Sequence, residues 1–325
     1  MKLREFFNKA VACGIENDPR GKEGIDRALA IEKRIYNKLS DCGKGNFDEE
    51  RLTNPFHDSR VLFGADDVEI KRMMVGVDLE VPELLVADRL GEKGQKIDFC
   101  LTHHPQGYAR TGLWKVMEMQ AEIMANLGVP ITAAEGLMDP RKHEIRRRVL
   151  VQNHTRVLDS AKLLDMPYAC VHTPADNCVV TYLQDIMDKE QPLMLGEVID
   201  ILGNIPEYKD AKRTMSGLMI LARSASSTVD PHQIRAGKVY VDMTGGTGGS
   251  KDMFEKFAQT TDVGTIVCMH IPEDNLKLAK KYHMNIVIAG HIASDNLGIN
   301  LLLDNILKGT DIEVVPVSGF ERIER

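Results

Sequence analysis

Five of the ten histidines in this sequence stand where a short apolar run ends. The run Ile97-Asp98-Phe99-Cys100-Leu101-Thr102 closes on the adjacent pair His103-His104, and Pro105 stops it. A run of that kind reads as a buried strand. Ligands of open α/β sheets collect just beyond the carboxyl ends of strands. Two imidazoles placed there can bind a borderline metal such as zinc, iron, cobalt or nickel. Neighbouring side chains on a regular strand point to opposite faces, so a shared site requires the backbone to turn at the pair, in keeping with Pro105. Taken alone, the pair reads equally well as two loop histidines without a ligand.

The theme recurs. Met166 to His172 is an apolar run ending in histidine, followed by Thr173-Pro174-Ala175-Asp176. That tetrapeptide reads as a helix start, with Thr173 at the N-cap, Pro174 first in the helix and Asp176 at the third position. Asp176 is then either a cap that compensates the helix dipole or a carboxylate metal ligand, and spacing alone favours the cap. Thr265 to His270 and Asn285 to His291 repeat the pattern. If a helix begins at His291, then His291 and Asp295 share one face, which suits a common metal. The alternative is a histidine at a helix start with Asp295 compensating the dipole. Unligated histidines have no reason to gather at strand ends, so the joint pattern points to a site of His and Asp with room for two ions. Such a site fits hydrolysis, because the ions polarise a substrate oxygen and activate water while carboxylates bridge them. No G-x-S-x-G occurs and no cysteine is obviously paired with a histidine, so no other nucleophile competes.

The elements that must position these residues alternate between strand and helix from Val61 onward, which indicates α/β architecture with a largely parallel sheet or sheets. Residues 1–60 read as mostly helical, including Arg27 to Leu39, and Cys42 to Phe56 as a loop; His57 reads as a surface residue. Met73 to Asp78 is a strand ending in a carboxylate, with a helix from Pro82 to Leu90. A helix through Trp114 to Leu127 is followed by a short strand at Val129 to Ala134. The basic run Arg141 to Arg148 reads as the solvated face of a helix from Asp139 to about Leu164, with an anion or nucleic-acid patch as the sharper alternative. An irregular stretch is expected between Leu202 and Lys238. The break near 180–240 divides the chain into a helical region 1–60, a first lobe 61–180 and a second lobe 181–325. After the strand Val239 to Thr244, the loop Gly245-Gly246-Thr247-Gly248-Gly249-Ser250-Lys251 could bring backbone N–H groups to an anion. It matches neither common phosphate fingerprint, and a tight strand-to-helix turn carries equal weight. Ala293 to Leu307 reads as a helix and Asp311 to Val317 as a last strand.

With 325 residues, 43% of them hydrophobic and 27% charged, one large or two medium globular domains are expected. A net charge of -7 weighs against nucleic acid as a partner. No apolar run is long enough to span a bilayer, the N-terminus lacks a long apolar core, and a cytoplasmic location is expected. The six cysteines form no C-x-x-C pair. Cys100, Cys170 and Cys268 lie inside apolar runs and read as small buried hydrophobes in a reducing compartment, rather than as thiolate ligands or nucleophiles.

Thr102-His103-His104-Pro105, His172-Thr173-Pro174-Ala175-Asp176 and Gly290-His291-Ile292-Ala293-Ser294-Asp295 together resemble three signatures of the Nif-three-like dinuclear metal family. Its members often carry the description GTP cyclohydrolase 1 type 2 homologue. The family patterns are roughly T-H-H-P, H-[TS]-x-x-D and G-H-[YF]-x-[ST]-E, in the same order, and the resemblance runs from about Val61 to Val317. It implies two packed α/β lobes with a two-metal site in the cleft between them, and a ring-shaped homo-oligomer, often a hexamer. Carried over residue by residue, it implies His103, His104, Asp176, His291 and Asp295 as metal ligands. His172 would be an accessory ligand or the residue orienting an activated water. The ions would be two divalent metals per subunit, drawn from zinc, iron, manganese, cobalt and nickel. The chain departs from the family in three places. Asp295 stands where glutamate is usual, and being one methylene shorter it calls for a backbone shift to bridge two ions. Ile292 replaces the usual aromatic, and Cys268-Met269-His270 falls where a T-G-[ED] stretch is common.

The resulting expectation is a metal-dependent hydrolase acting on a nucleotide or related small molecule, the cyclohydrolase activity being implied by the resemblance only. A non-enzymatic metal-binding regulatory or scaffold protein is the alternative. A nucleic-acid clamp is a third reading, supported only by Arg141 to Arg148.

Overall fold

The computed structural model describes residues 1–213, 219–221 and 230–325. Fourteen α-helices and nine strands alternate along these residues. The chain starts with α1 (Leu3–Glu16), α2 (Gly21–Asn37) and the short α3 (Asp41–Gly45). Then come β1 (Arg60–Phe63), β2 (Arg72–Gly76), α4 (Val81–Glu92), β3 (Phe99–Thr102), α5 (Gly107–Val116), α6 (Glu118–Asn126), α7 (Ile131–Leu150), α8 (Arg156–Leu163) and β4 (Tyr168–Cys170). The second half holds α9 (Thr173–Glu190), α10 (Leu195–Gly203), α11 (Pro206–Arg213), β5 (Met219–Leu221), β6 (Lys238–Asp242), α12 (Met253–Thr260), β7 (Val263–Cys268), α13 (Glu273–Lys281), β8 (Asn285–Ile288), α14 (His291–Leu307) and β9 (Glu313–Val317). No helix among the described residues is long and apolar enough to cross a membrane.

The strands form two sheets, ordered β1-β4-β3-β2-β9 and β5-β8-β7-β6. In the first, β9, β2, β3 and β4 are parallel and β1 runs antiparallel on the edge. In the second, β6, β7 and β8 are parallel and β5 is the antiparallel edge. Every residue of β3 is buried, as expected where helices cover both faces of a parallel strand. The last strand therefore returns to the first sheet, and the chain is α/β with two mixed sheets.

One core gathers α1 residues Leu3, Phe6 and Phe7 against Met73, Phe99 and Leu303. Phe6 meets Phe99 edge-on at 5.5 Å between centroids. Burying each of these large side chains contributes about 1.5–3 kcal/mol. A second core packs α9 and α10 on the strands β6 to β8. Helices α9 and α14 contribute to both cores, Ala175 and Leu302 to the first and Val179 and Leu297 to the second. They lie side by side at the joint, and a Cβ on Gly298 would stand 2.6 Å from the carbonyl oxygen of Ala175. Only a residue without a side chain lets the two backbones approach so closely.

Several local expectations are corrected. Val129 to Ala134 is no strand: Pro130 is the N-cap of α7, and Ala134, Met138, Ile145 and Val149 recur on its buried face. A short apolar run cannot separate strand from helix by periodicity alone. The helix expected from Asp139 to Leu164 is two helices, α7 and α8, with a turn between them. The Cys42 to Phe56 loop contains the end of α3 and a 3-10 turn at Glu49–Leu52. His57 is not a surface residue: its side chain is 13% exposed, with Nε2 3.5 Å from Glu32. The irregular stretch expected after Leu202 lies in part outside the described residues.

Candidate metal centre

The carboxyl ends of the parallel strands in both sheets point to one place. His103 and His104 follow β3, Asp78 lies just past β2, and His172 is the N-cap of α9 just after β4. From the second sheet, His270 follows β7 and His291 opens α14 after β8. Gly290, at φ 98°, makes the turn that starts α14 there, a backbone conformation that residues with a side chain rarely adopt. Because the helix begins at His291, Asp295 one turn on shares its face.

The side chains converge. His103 Nε2 lies 3.5 Å from Asp176 Oδ1 and 3.5 Å from Asp295 Oδ1. The other Asp295 oxygen, Oδ2, is 3.4 Å from His104 Nε2 and 3.5 Å from His291 Nε2. His172 Nε2 is 3.7 Å from Asp176 Oδ2. Three groups result whose donor atoms all lie within 4.8 Å of one another: His103-Asp176-Asp295, His104-His291-Asp295 and His103-His104-His172. Asp295 belongs to two of them, one oxygen facing each. Its short side chain suffices for this, with α14 held against α9 at Gly298.

Ring orientation is set from behind. His104 Nδ1 lies 2.8 Å from Asp78 Oδ1, His172 Nδ1 2.7 Å from Asp58 Oδ2, and His103 Nδ1 3.1 Å from the carbonyl oxygen of Val171. A carboxylate or carbonyl oxygen only accepts, so each Nδ1 carries a hydrogen and each ring, when neutral, turns the lone pair of Nε2 inward. Asp58 is itself held by the Thr173 hydroxyl at 2.7 Å. Carboxylate and carbonyl partners of this kind are what metal-ligating histidines ordinarily have.

The electrostatics fit the same arrangement. Burial alone would push His103 down, but the carboxylates of Asp295 and Asp176 beside it overcome that and hold its pKa well above the usual histidine range. Asp295 is opposed by burial, yet His103, His104 and His291 pull it well below the usual carboxylate range. Even so, His103 Nε2 and both Asp295 oxygens have no well-formed hydrogen bond among the described residues. Leaving a buried polar group unsatisfied costs about 1–3 kcal/mol, and more for a charged one. His103 Nε2 faces one of these oxygens at 3.5 Å and His104 Nε2 faces the other at 3.4 Å, an arrangement that suits cations between them, and these residues could hold a metal ion.

Among the residues singled out from the sequence, His103, His104, His172, Asp176, His291 and Asp295 come together. His270 stands beside them, its ring 5.2 Å from that of His291, but belongs to none of the three groups. The N-cap of α9 is His172 rather than Thr173, and Asp176, still in the first turn, turns its oxygens toward His103 and His172. Nothing in the sequence singles out Asp58. It precedes the antiparallel edge strand β1, which brings it beside β4 from 114 residues away. Asp78 is visible in the sequence only as a strand end. The strand cysteines Cys100, Cys170 and Cys268 are buried, and burial pushes their thiols up to about 12.

A cleft of about 300 Å³ opens onto this cluster, lined from the other sheet by Asp242, Thr244, Gly246, Gly248 and His270.

Fold and site thus define an α/β protein of two mixed sheets, with a buried His/Asp cluster able to bind metal at their strand ends. No family model and no curated protein matches the sequence. Among solved structures it is similar to a NIF3 superfamily protein from Sphaerobacter thermophilus, with 27% identity and a TM-score of 0.68 over 81% of this chain and 91% of that one. It is also similar to reduced HcgD from Methanocaldococcus jannaschii, with 17% identity and a TM-score of 0.48 over 79% of this chain and 87% of that one. TTHA1606 from Thermus thermophilus gives 15% identity and a TM-score of 0.45 over 79% of this chain and 86% of that one. The chain thus has a fold similar to that of a NIF3 superfamily protein and carries a His/Asp cluster that could hold a metal ion.

Proposed function

We propose that this protein is a dinuclear metal-dependent hydrolase acting on a nucleotide or related small molecule. The observation that carries the reading is the split of the Asp295 carboxylate, one unsatisfied oxygen toward His103 and Asp176 and the other toward His104 and His291. In this reading His103, Asp176 and Asp295 hold one ion, and His104, His291 and Asp295 hold the second. Two divalent ions so bound would supply Lewis-acid polarisation of a substrate oxygen and activation of water. His172 belongs to the third donor group, its Nδ1 fixed by Asp58 and its Nε2 turned toward Asp176, where it would orient a water or take a proton. His104, His172, Asp176 and His291 line the cleft, while His103 and Asp295 are buried beside them, so a small substrate would approach from the cleft. Cyclohydrolase chemistry belongs to this proposal through family likeness, and so does assembly into a ring-shaped homo-oligomer. Sedimentation of the full chain at a multiple of the subunit mass would support the assembly, and a monomer would reject it.

The test of the activity is a hydrolysis screen over nucleotides, phosphoesters and cyclic amides, with protein loaded separately with zinc, iron, manganese, cobalt or nickel. Turnover that saturates and falls at least about a hundredfold in His172→Ala, a loss typical of a proton-transfer residue, supports the proposal. Metal uptake with no turnover by any loaded form would favour a regulatory metal-binding protein instead.

A further inference from the structure

The glycine loop after β6 is not used by the metal centre, yet it forms part of the cleft wall beside it. Its carbonyl groups are tied down from behind. The Gln120 side-chain amide donates to the carbonyl oxygens of Gly245 at 2.7 Å and Thr247 at 2.6 Å. Arg141 Nε donates to the carbonyl of Gly248 at 3.1 Å. In a trans peptide the carbonyl and the following N–H point in opposite directions. The N–H groups of Gly246 and Gly248 therefore point away from Gln120, and both residues line the cleft. Neither N–H has an acceptor within the described residues. Arg110 of α5 lines the same cleft, half-buried, and no carboxylate pairs with it among the described residues. The acidic groups that also face the cleft are engaged elsewhere. Asp78 holds His104, Asp176 faces His103 and His172, and Asp242 accepts from the Tyr240 hydroxyl at 3.3 Å.

We propose that the guanidinium of Arg110 and the N–H groups of Gly246 and Gly248 form an anion subsite that takes the phosphate of a small phosphorylated substrate beside the metal centre. Donors reaching the cleft from two separate elements suit a tetrahedral phosphate better than a planar carboxylate, and backbone N–H groups with an arginine are the ordinary partners of phosphate oxygens. Gln120 and Arg141 act as positioning residues that keep the loop's carbonyls turned away. This inference rests on the hydrolase reading and names its substrate class.

The test is calorimetric titration of inorganic phosphate, and separately of acetate, into the full-length metal-loaded protein, with metal content measured on each sample. Wild type, Arg110→Gln, Arg110→Lys and Gln120→Leu are compared. Phosphate affinity should fall about tenfold or more in Arg110→Gln, the loss of one charge-assisted contact. It should recover in part in Arg110→Lys and fall also in Gln120→Leu, with metal content unchanged in all four and acetate bound more weakly throughout. Phosphate affinity within about twofold of wild type in Arg110→Gln would overturn the subsite, since phosphate would then sit on the metals alone. Absence of metal from the wild type would instead defeat the hydrolase reading, and the same titrations would still decide the subsite.

Discussion

At the scale of single residues, the groups behind the cluster are as informative as those that form it. Asp78 and Asp58 fix the rings of His104 and His172 by their Nδ1 atoms. Removing such a partner frees the ring to rotate and exchange tautomers, which typically costs about 10–100-fold in metal affinity. Asp78→Ala should therefore weaken metal binding by about that factor while leaving His104 in place, as read by competition with a chromophoric chelator. Unchanged affinity would mean the Asp78 contact is incidental. Asp242 makes a different prediction. Burial raises its carboxyl to about 6, so the folded chain holds this proton more tightly than the unfolded chain, whose carboxyl titrates near about 3.9. Its contribution to stability is complete below about pH 4 and is lost as pH rises through about 6. Asp242→Asn should accordingly raise the melting temperature at about pH 8 relative to wild type and leave it little changed at about pH 4. An equal shift at both would contradict the assignment.

Among the elements, the pair α9 and α14 decides whether the site exists. Helix α9 carries Asp176 and α14 carries His291 and Asp295, so their spacing sets the distances across the cluster. A Cβ on Gly298 would meet the backbone of Ala175, which cannot rotate aside as a side chain would. Gly298→Ala should cost about 1–3 kcal/mol, the usual penalty of overpacking, and should reduce metal content in the fraction that still folds. A denaturation midpoint and metal content both equal to wild type would show the helices free to part. This scale also shows where sequence reading works. The strands β2, β3, β7 and β8 are legible, because buried parallel strands are short apolar runs with sharp ends, and so is most of α14, read from Ala293 although it starts two residues earlier at His291. The start of α7 is not, because Pro130 followed by Ile131-Thr132-Ala133-Ala134 has the composition of a strand and only its later turns show the helical period.

For the molecule as a whole, two sheets turn the carboxyl ends of their parallel strands toward one cleft. That arrangement explains why histidines gather at strand ends far apart in sequence, and why His103, His172 and His291 can be picked out without a structure. The partners that orient them cannot. Asp58 reaches His172 only because β1 runs antiparallel to β4, and Gln120 meets the glycine loop across 125 residues. Such pairings depend on how elements are laid against one another, which local composition does not record. The cleft and the cluster at its base make the central claim one of stoichiometry, with Asp295 shared between two ions. The direct measurement is metal content per subunit by mass spectrometry, on wild type, His291→Ala and Asp295→Asn reconstituted under the same conditions. The account predicts about two ions in the wild type, one retained in His291→Ala, and loss of both when the shared carboxylate is replaced in Asp295→Asn. A wild type that takes up no metal, or an Asp295→Asn variant that keeps its full complement, would contradict it.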